Sequence, residues 1–271
     1  MSFVESEVFC SVYDDLPLWS APFGLALLQR VRLRGVGAAL DVGCGTGFPL
    51  IELAERLGSL VPVTGVDPWS SALDRVRLKL RERGVGNVTA ILGSVQRLPF
   101  AGRSFDLVVS NNGLNNVPDP EGAVAEIRRV CREGAQVVMT VNLPDSMREL
   151  YDAFDATLAD RGLAAARVRM REHIASKREP VATWVERFEK AGFRVAAADT
   201  GSFQWRFASA AAVFAHSFIR TAFLPPWIEV LAGEAEPEAF FADLQCRLDE
   251  RARAADAVIL TIPWLCLDAR A

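Results

Sequence analysis

Histidine is scarce in this chain: only His173 and His216 occur in 271 residues. Two imidazoles cannot make a metal site without help from carboxylates, and no cysteine pair stands ready to join them. The five cysteines (Cys10, Cys44, Cys131, Cys246 and Cys266) are scattered, with no Cys-x-x-Cys among them. Without metal-ligand spacing they read as reduced thiols, so no metal is expected and a cytoplasmic location is. No uninterrupted run of 18 apolar residues occurs, which excludes a predicted transmembrane helix. Basic charge is not in excess: 30 Lys and Arg stand against 34 Asp and Glu, a formal charge of −4. That removes the electrostatic case for nucleic acid. Residues Met1 to Asp15 carry acids and no basic stretch, so no secretory leader is expected. Repeats and low-complexity segments are also lacking.

What remains is an ordinary globular balance with an apolar lean, 51% hydrophobic and 24% charged. The length suits one large α/β domain with insertions or two small domains. One stretch organises the rest. Val36 to Val42 is a short apolar run that reads as a buried strand. Gly43, Gly45 and Gly47 follow on alternate positions, and Leu50 to Leu57 has helical spacing of apolar residues with Gly58 as its C-terminal cap. A glycine turn lets a ligand lie against bare peptide groups, and the helix behind it offers N–H groups to an anionic part of that ligand. The dinucleotide pattern needs glycine at the first, third and sixth positions. Here the sixth is Phe48, which argues against NAD or FAD. A tight turn serving only strand–helix packing is the plain alternative.

The segment Asp41-Val42-Gly43-Cys44-Gly45-Thr46-Gly47 resembles the first motif of the class I S-adenosylmethionine-dependent methyltransferases. The resemblance runs by motif over residues 36–142 and beyond that only by general layout. It is closest to the broad group containing quinone-biosynthesis and natural-product methyltransferases. It implies a Rossmann-like α/β fold: a seven-stranded, mostly parallel sheet in the order 3-2-1-4-5-7-6 with the last strand antiparallel, helices on both faces and helical lid insertions. It also implies S-adenosyl-L-methionine as cofactor, its methionine part held by Asp41, Gly43, Cys44 and Gly45. The expected organisation is a single methyltransferase domain over 1–271, with N-terminal helices in 1–35, the cofactor core in 36–142, and acceptor-binding insertions in 144–178 and 208–255.

Further along, Val61 to Asp67 reads as the second strand and ends in an acid twenty residues after Gly47. A carboxylate at that strand end can accept hydrogen bonds from both hydroxyls of a ribose; the plain alternative for Asp67 is a helix N-cap. Pro68 and Trp69 follow, where the family often packs an apolar side chain on the adenine. Asn87 to Leu92 reads as the third strand. The stretch Gly93-Ser94-Val95-Gln96-Arg97-Leu98-Pro99-Phe100 resembles a family segment with an acid where Ser94 stands. There the acid accepts a bond from the adenine amino group, and the backbone N–H of the next residue, here Val95, meets a ring nitrogen. A hydroxyl accepts too, but more weakly. Ser104 to Ser110 reads as the fourth strand. After it come Asn111, Asn112, Asn115 and Asn116, which serve either cofactor or acceptor contact or simple turn chemistry. Family members often have histidines where Asn115 and Asn116 stand, so a histidine base at those positions is ruled out here.

Tyr13 precedes Asp14 at the distance where the family closes a ring over the cofactor; a core or surface tyrosine is the alternative. Pro120 to Cys131 reads as a helix capped by Asp119, and Ala135 to Asn142 as the fifth strand. Helices are expected over 145–161, 163–177, 180–191, 208–220 and 237–253, with Pro225-Pro226-Trp227 breaking the fourth. Strands are expected over 192–207 and 257–267, the latter with a bulge or shift at Pro263. The insertions are rich in Phe and Trp, which suits an apolar or planar small acceptor, although any one of these residues is better read as core packing. Methyl transfer needs alignment and water exclusion more than a base; the base candidates are Tyr13, Asp14, Asp15, His173 and His216, none of them compelling. A cofactor-binding protein without methyl transfer stays open, as does, more remotely, a dinucleotide-dependent oxidoreductase.

Overall fold

Ala39–Val42 (β1) buries all four residues, the pattern of a parallel strand covered on both faces. The computed structural model describes residues 10, 14, 19–176, 178–253 and 255–271. In chain order its principal elements are α1 (Ala21–Arg30), β1, α2 (Leu50–Leu57), β2 (Val63–Asp67), α3 (Ser70–Arg83), β3 (Val88–Leu92), β4 (Phe105–Asn111), α4 (Pro120–Val130), β5 (Cys131–Asn142), α5 (Arg148–Asp160), α6 (Ala164–Ala175), α7 (Val181–Lys190), β6 (Arg194–Phe207), α8 (Ala210–Ala215), a π-helical turn (Ile219–Phe223), α9 (Leu224–Leu231), α10 (Pro237–Ala252) and β7 (Val258–Arg270). The strands make one sheet in the order β3-β2-β1-β4-β5-β7-β6. Neighbouring strands from β3 to β5 are parallel, and β7 runs antiparallel to β5. This is the expected topology.

The chain divides into two compact units. One comprises Met1–Asn142, Pro180–Gly201 and Trp264–Ala271; the other comprises Leu143–Glu179 and Ser202–Pro263. The first holds the parallel strands and α1 to α4 with α7. Its core joins Leu27 and Leu28 of α1, Leu50 and Leu53 of α2, Leu73 and Val76 of α3, and Leu107 and Val109 of β4. Gln136 ties α1 to the sheet: its side chain accepts from Arg32 N (2.8 Å) and donates to Arg30 O and Asp268 (both 3.1 Å). In the second unit the core is aromatic. Phe154 lies against Phe240 with ring centroids 4.8 Å apart, and Phe214 against Phe241 at 5.4 Å.

Several local expectations shift. β5 starts at Cys131 rather than Ala135, because Cys131 pairs with Phe105 and a register irregularity before Leu107 absorbs the intervening Glu133–Gly134 turn. The Pro225-Pro226 pair does not break a helix; it opens α9. There the missing N–H groups cost nothing, because first-turn donors have no intrahelical partner anyway. Pro263 lies inside β7, yet the ladder with β5 runs regularly from Arg270 to Trp264 and ends there. Beyond it Pro263 serves only as an acceptor, for Leu143 N at 3.0 Å, so no bulge is needed on that side.

Gly65 shows how tightly β2 is packed. A Cβ there would stand 2.5 Å from Leu50 Cδ2 and 2.8 Å from Cys44 Sγ. Replacement Gly65→Val is expected to lower the unfolding free energy by roughly 2 kcal/mol or more through overpacking. Urea denaturation checks this; an unchanged midpoint would contradict the packing described.

Candidate active site

Gly43, Gly45 and Gly47 all have positive φ, +74°, +51° and +104°. A side chain at any of them would be strained, which is the physical reason for the alternation of glycines. Gly43 N donates to Val66 O (2.8 Å), and Gly47 N to Cys44 O (2.9 Å), closing the turn. Between them Cys44 sends its side chain into the core against Gly65, so it offers only backbone to a ligand. Burial pushes its thiol well above the usual range. At the start of α2 no side chain caps the helix; backbone carbonyls take its early N–H groups instead, Ile51 N donating to Gly47 O (3.0 Å) and Leu53 N to Pro49 O (2.8 Å).

Two carboxylates sit at this turn. Asp67, 8% exposed at the end of β2, accepts from Gly45 N (2.8 Å) on one oxygen and from Trp69 N (2.9 Å) on the other. It thereby fastens β2 to the glycine turn and also serves the start of α3. Burial raises its pKa, and the two N–H groups oppose this. Asp41 is fully buried in β1, and neither oxygen completes a hydrogen bond. Burial first, then the charge of Asp67, outweigh the Leu50 N–H and lift its pKa to about 8. An orphaned buried carboxylate beside a second acid is a site built for positive charge.

The asparagine run follows β4. Asn111 is buried, accepting from Thr140 Oγ1 (2.8 Å) and donating to Ser20 O (3.2 Å). Asn112 is left-handed, with φ +56°, and its side chain accepts from Asn115 Nδ2 (2.8 Å) and Asn142 N (3.2 Å). Asn116 Nδ2 donates to Asn112 O at 3.3 Å. Asn115 also donates to the Asn142 side chain, while its own Oδ1 is buried without a partner. These amides bind the β4 loop to β5. The residue that brings the loop to the glycine turn is Gly113: a Cβ on Gly43 would stand 3.2 Å from its Cα.

At the end of β3, Gly93 N donates to Asp67 O (3.1 Å), which places Ser94 beside the same strand ends. Ser94 is exposed, and its hydroxyl accepts from Gln96 N (3.3 Å), capping the short helical turn Val95–Arg97. Val95 is buried, Gln96 exposed, and Pro68 exposed next to Asp67. The carboxyl ends of β1 to β4 thus bring together Asp41, the glycines, Asp67, Ser94 and Asn111. Sequence reasoning missed Lys79 of α3, which donates to Thr46 O (2.9 Å) and pairs with Asp14; nothing marks it out within a basic helix. It also missed Gly113 and Asn142, and a glycine inside an Asn run was the available sign. Tyr13 and Asp15 lie outside the described residues. His173 and His216 belong to the second unit. His173 is half-buried near the end of α6. His216 ends α8 between Trp205 (5.5 Å) and Phe207 (5.6 Å), with Nδ1 buried and unpartnered and its pKa lowered by burial. Among the described residues no cluster could hold a metal ion, and no helix is long and apolar enough to cross a membrane.

The sheet order is that of the class I S-adenosylmethionine-dependent methyltransferase fold. Residues 40–139 match the methyltransferase domain family. A demethylmenaquinone methyltransferase of Geobacillus kaustophilus is 38% identical over 125 residues, 46% of this chain and 52% of the relative. The chain spans about half the length of the curated relatives it matches. In fold it is similar to an S-adenosylmethionine-dependent methyltransferase from Mesorhizobium loti: TM-score 0.53, 18% identity, over 91% of this chain and 96% of that one. The [4+2]-cyclase SpnF is similar too: TM-score 0.55, 20% identity, over 92% of this chain and 79% of that one.

The Asp41 pKa has a consequence for stability. Because the folded chain holds this proton up to about pH 8, against an ordinary value of 3.8, its contribution is complete below about pH 4 and is lost as the pH rises toward 8. Asp67, raised in the same direction, adds to that fall. Urea midpoints of the cofactor-free protein from pH 5 to 9 are therefore expected to decline, and to decline less in Asp41→Asn. An equal slope in the variant would show that Asp41 is ionised throughout.

Proposed function

We propose that this protein transfers a methyl group from S-adenosylmethionine to a small acceptor by in-line displacement. The observation that carries the reading is the unpaired, buried Asp41 behind three positive-φ glycines, with Asp67 at the next strand end. The cofactor supplies a methyl group already activated on a cationic sulfur. The residues present suit such a molecule. Its ammonium and sulfonium charges would offset the Asp41 and Asp67 carboxylates. Asp67 keeps lone pairs for ribose hydroxyls beyond its two backbone bonds. Ser94 would offer the adenine amino group an uncharged acceptor. In this reading the second unit, which contains the greater part of the insertions over 144–178 and 208–255, supplies the acceptor-selecting side chains.

The acceptor does not carry over from the relatives named above, because the matched family region ends at residue 139, before the second unit begins at Leu143. A small, largely apolar or planar molecule is the reading that the Phe and Trp content of that unit supports. If its nucleophile must lose a proton, His216 is the best-suited base of the second unit. Burial keeps its ring neutral at pH 7, and Nδ1 has a free lone pair or proton site. No second copy, nucleic acid or membrane is required by this chemistry.

Calorimetric titration with S-adenosylmethionine and S-adenosylhomocysteine, with NAD as control, tests the proposal. Saturable binding of the first two and not of NAD is expected. Asp67→Ala should weaken it by about 100-fold, the worth of two charge-assisted hydrogen bonds. Binding by that variant at wild-type affinity would displace the site from Asp67. Proton release on binding near pH 7, seen by repeating the titration in buffers of different ionisation enthalpy, is expected as the cofactor's positive charge lowers the Asp41 pKa, and should vanish in Asp41→Asn.

A further inference from the structure

The second unit buries a cation that it does not neutralise. Arg178 is only 6% exposed, and no carboxylate pairs with it among the described residues. Its guanidinium lies 5.1 Å from the ring centroid of Tyr151, on α5, and Nη2 donates to the Tyr151 hydroxyl at 3.4 Å. Nε and Nη1 are buried with no hydrogen-bond partner. The Tyr151 hydroxyl also accepts from Trp227 Nε1 at 3.0 Å. With both lone pairs of that oxygen engaged, its proton is the remaining hydrogen-bonding capacity, and no acceptor for it occurs among the described residues. Three donors therefore meet at one place, and nothing there accepts.

Such a group is among the least favourable things to bury. A guanidinium taken from water loses its hydration, and a ring face returns only part of it. Water could accept the three hydrogen bonds but would leave the charge standing. An anionic oxygen does both. The surroundings describe the rest of such a ligand: the indole of Trp227 lies 6.2 Å from the Tyr151 ring, and the rings of Phe223 and Phe214 lie 5.7 and 6.2 Å from Trp227. Aromatic neighbours beside a donor-only polar end suit a flat molecule that carries negative charge at one edge.

We propose that Arg178 and Tyr151 form the recognition site for an anionic oxygen of the methyl acceptor, an aromatic carboxylate, phenolate or enolate. Calling that ligand the acceptor rests on the methyltransferase reading above; the anion site itself does not. Arg178 supplies charge and two N–H donors, and Tyr151 adds its O–H. Trp227 holds the phenol so that its proton, rather than a lone pair, is presented.

Two probes of one shape separate charge from fit: 2-naphthoate and its uncharged amide, 2-naphthamide, titrated into the full chain by calorimetry with and without S-adenosylmethionine. The wild type is expected to bind 2-naphthoate at least about tenfold more tightly than the amide, the worth of one charge-assisted hydrogen bond. Arg178→Met should erase that preference and leave amide binding unchanged, and Tyr151→Phe should reduce it several-fold. Equal affinity for the two probes, failure of both to bind at millimolar concentration, or a preference that survives in both variants would overturn the proposal. If Arg178→Met does not fold, the wild-type comparison and Tyr151→Phe decide. Cofactor binding without the preference defeats this proposal alone; the preference without cofactor binding defeats the methyltransferase reading and leaves the anion site standing.

Discussion

The hydrogen bond from Gly45 N to Asp67 joins the two parts on which the carboxyl end of the sheet depends. Gly45 belongs to a turn that only left-handed glycines can follow. Asp67 closes a strand whose partner, β1, carries the buried Asp41. The bond holds one carboxylate against the turn, and that carboxylate raises the proton affinity of the other. Without a ligand the folded chain keeps the Asp41 proton up to about pH 8. A cation placed against the two acids would favour its release.

The same logic recurs in the second unit with the sign reversed. There a buried guanidinium and a phenol proton, beside aromatic neighbours, lack an acceptor. Unsatisfied groups of this kind lower stability and are most readily understood where a ligand completes them. The first unit presents acids to a cation, the second a cation to an anion, and each is described by its own contacts. Similarity to the [4+2]-cyclase SpnF as well as to methyltransferases shows why the side chains, and not the sheet, must carry the argument about chemistry.

Much of the first unit was legible because its signals are local. The glycine alternation, the acid ending β2, the Asp119 cap with Pro120 behind it and Gly58 after α2 each follow from what one residue does to its own backbone. The asparagine run was legible as a turn but not as a tie to β5, since Asn142 and Thr140 are brought to it only by strand pairing. Lys79 is one basic residue among several on α3, and only packing selects it for the Thr46 carbonyl. Pro225 and Pro226 illustrate the converse: proline excludes helix interiors, yet the sequence does not say whether a helix ends before it or begins with it.

By itself, then, the sequence determined most of the strands and the position of the glycine turn, because strand period, glycine conformation and helix caps are properties of short segments; the order of the strands was implied only by the family resemblance of the motifs. Tertiary structure alone decided that Asp41 stands without a partner, that Gly113 meets Gly43, and that Arg178, Tyr151 and Trp227 meet in the second unit. The reason is physical: burial, charge compensation and donor counts depend on which distant residues are brought into contact, and no stretch of the chain contains that information on its own.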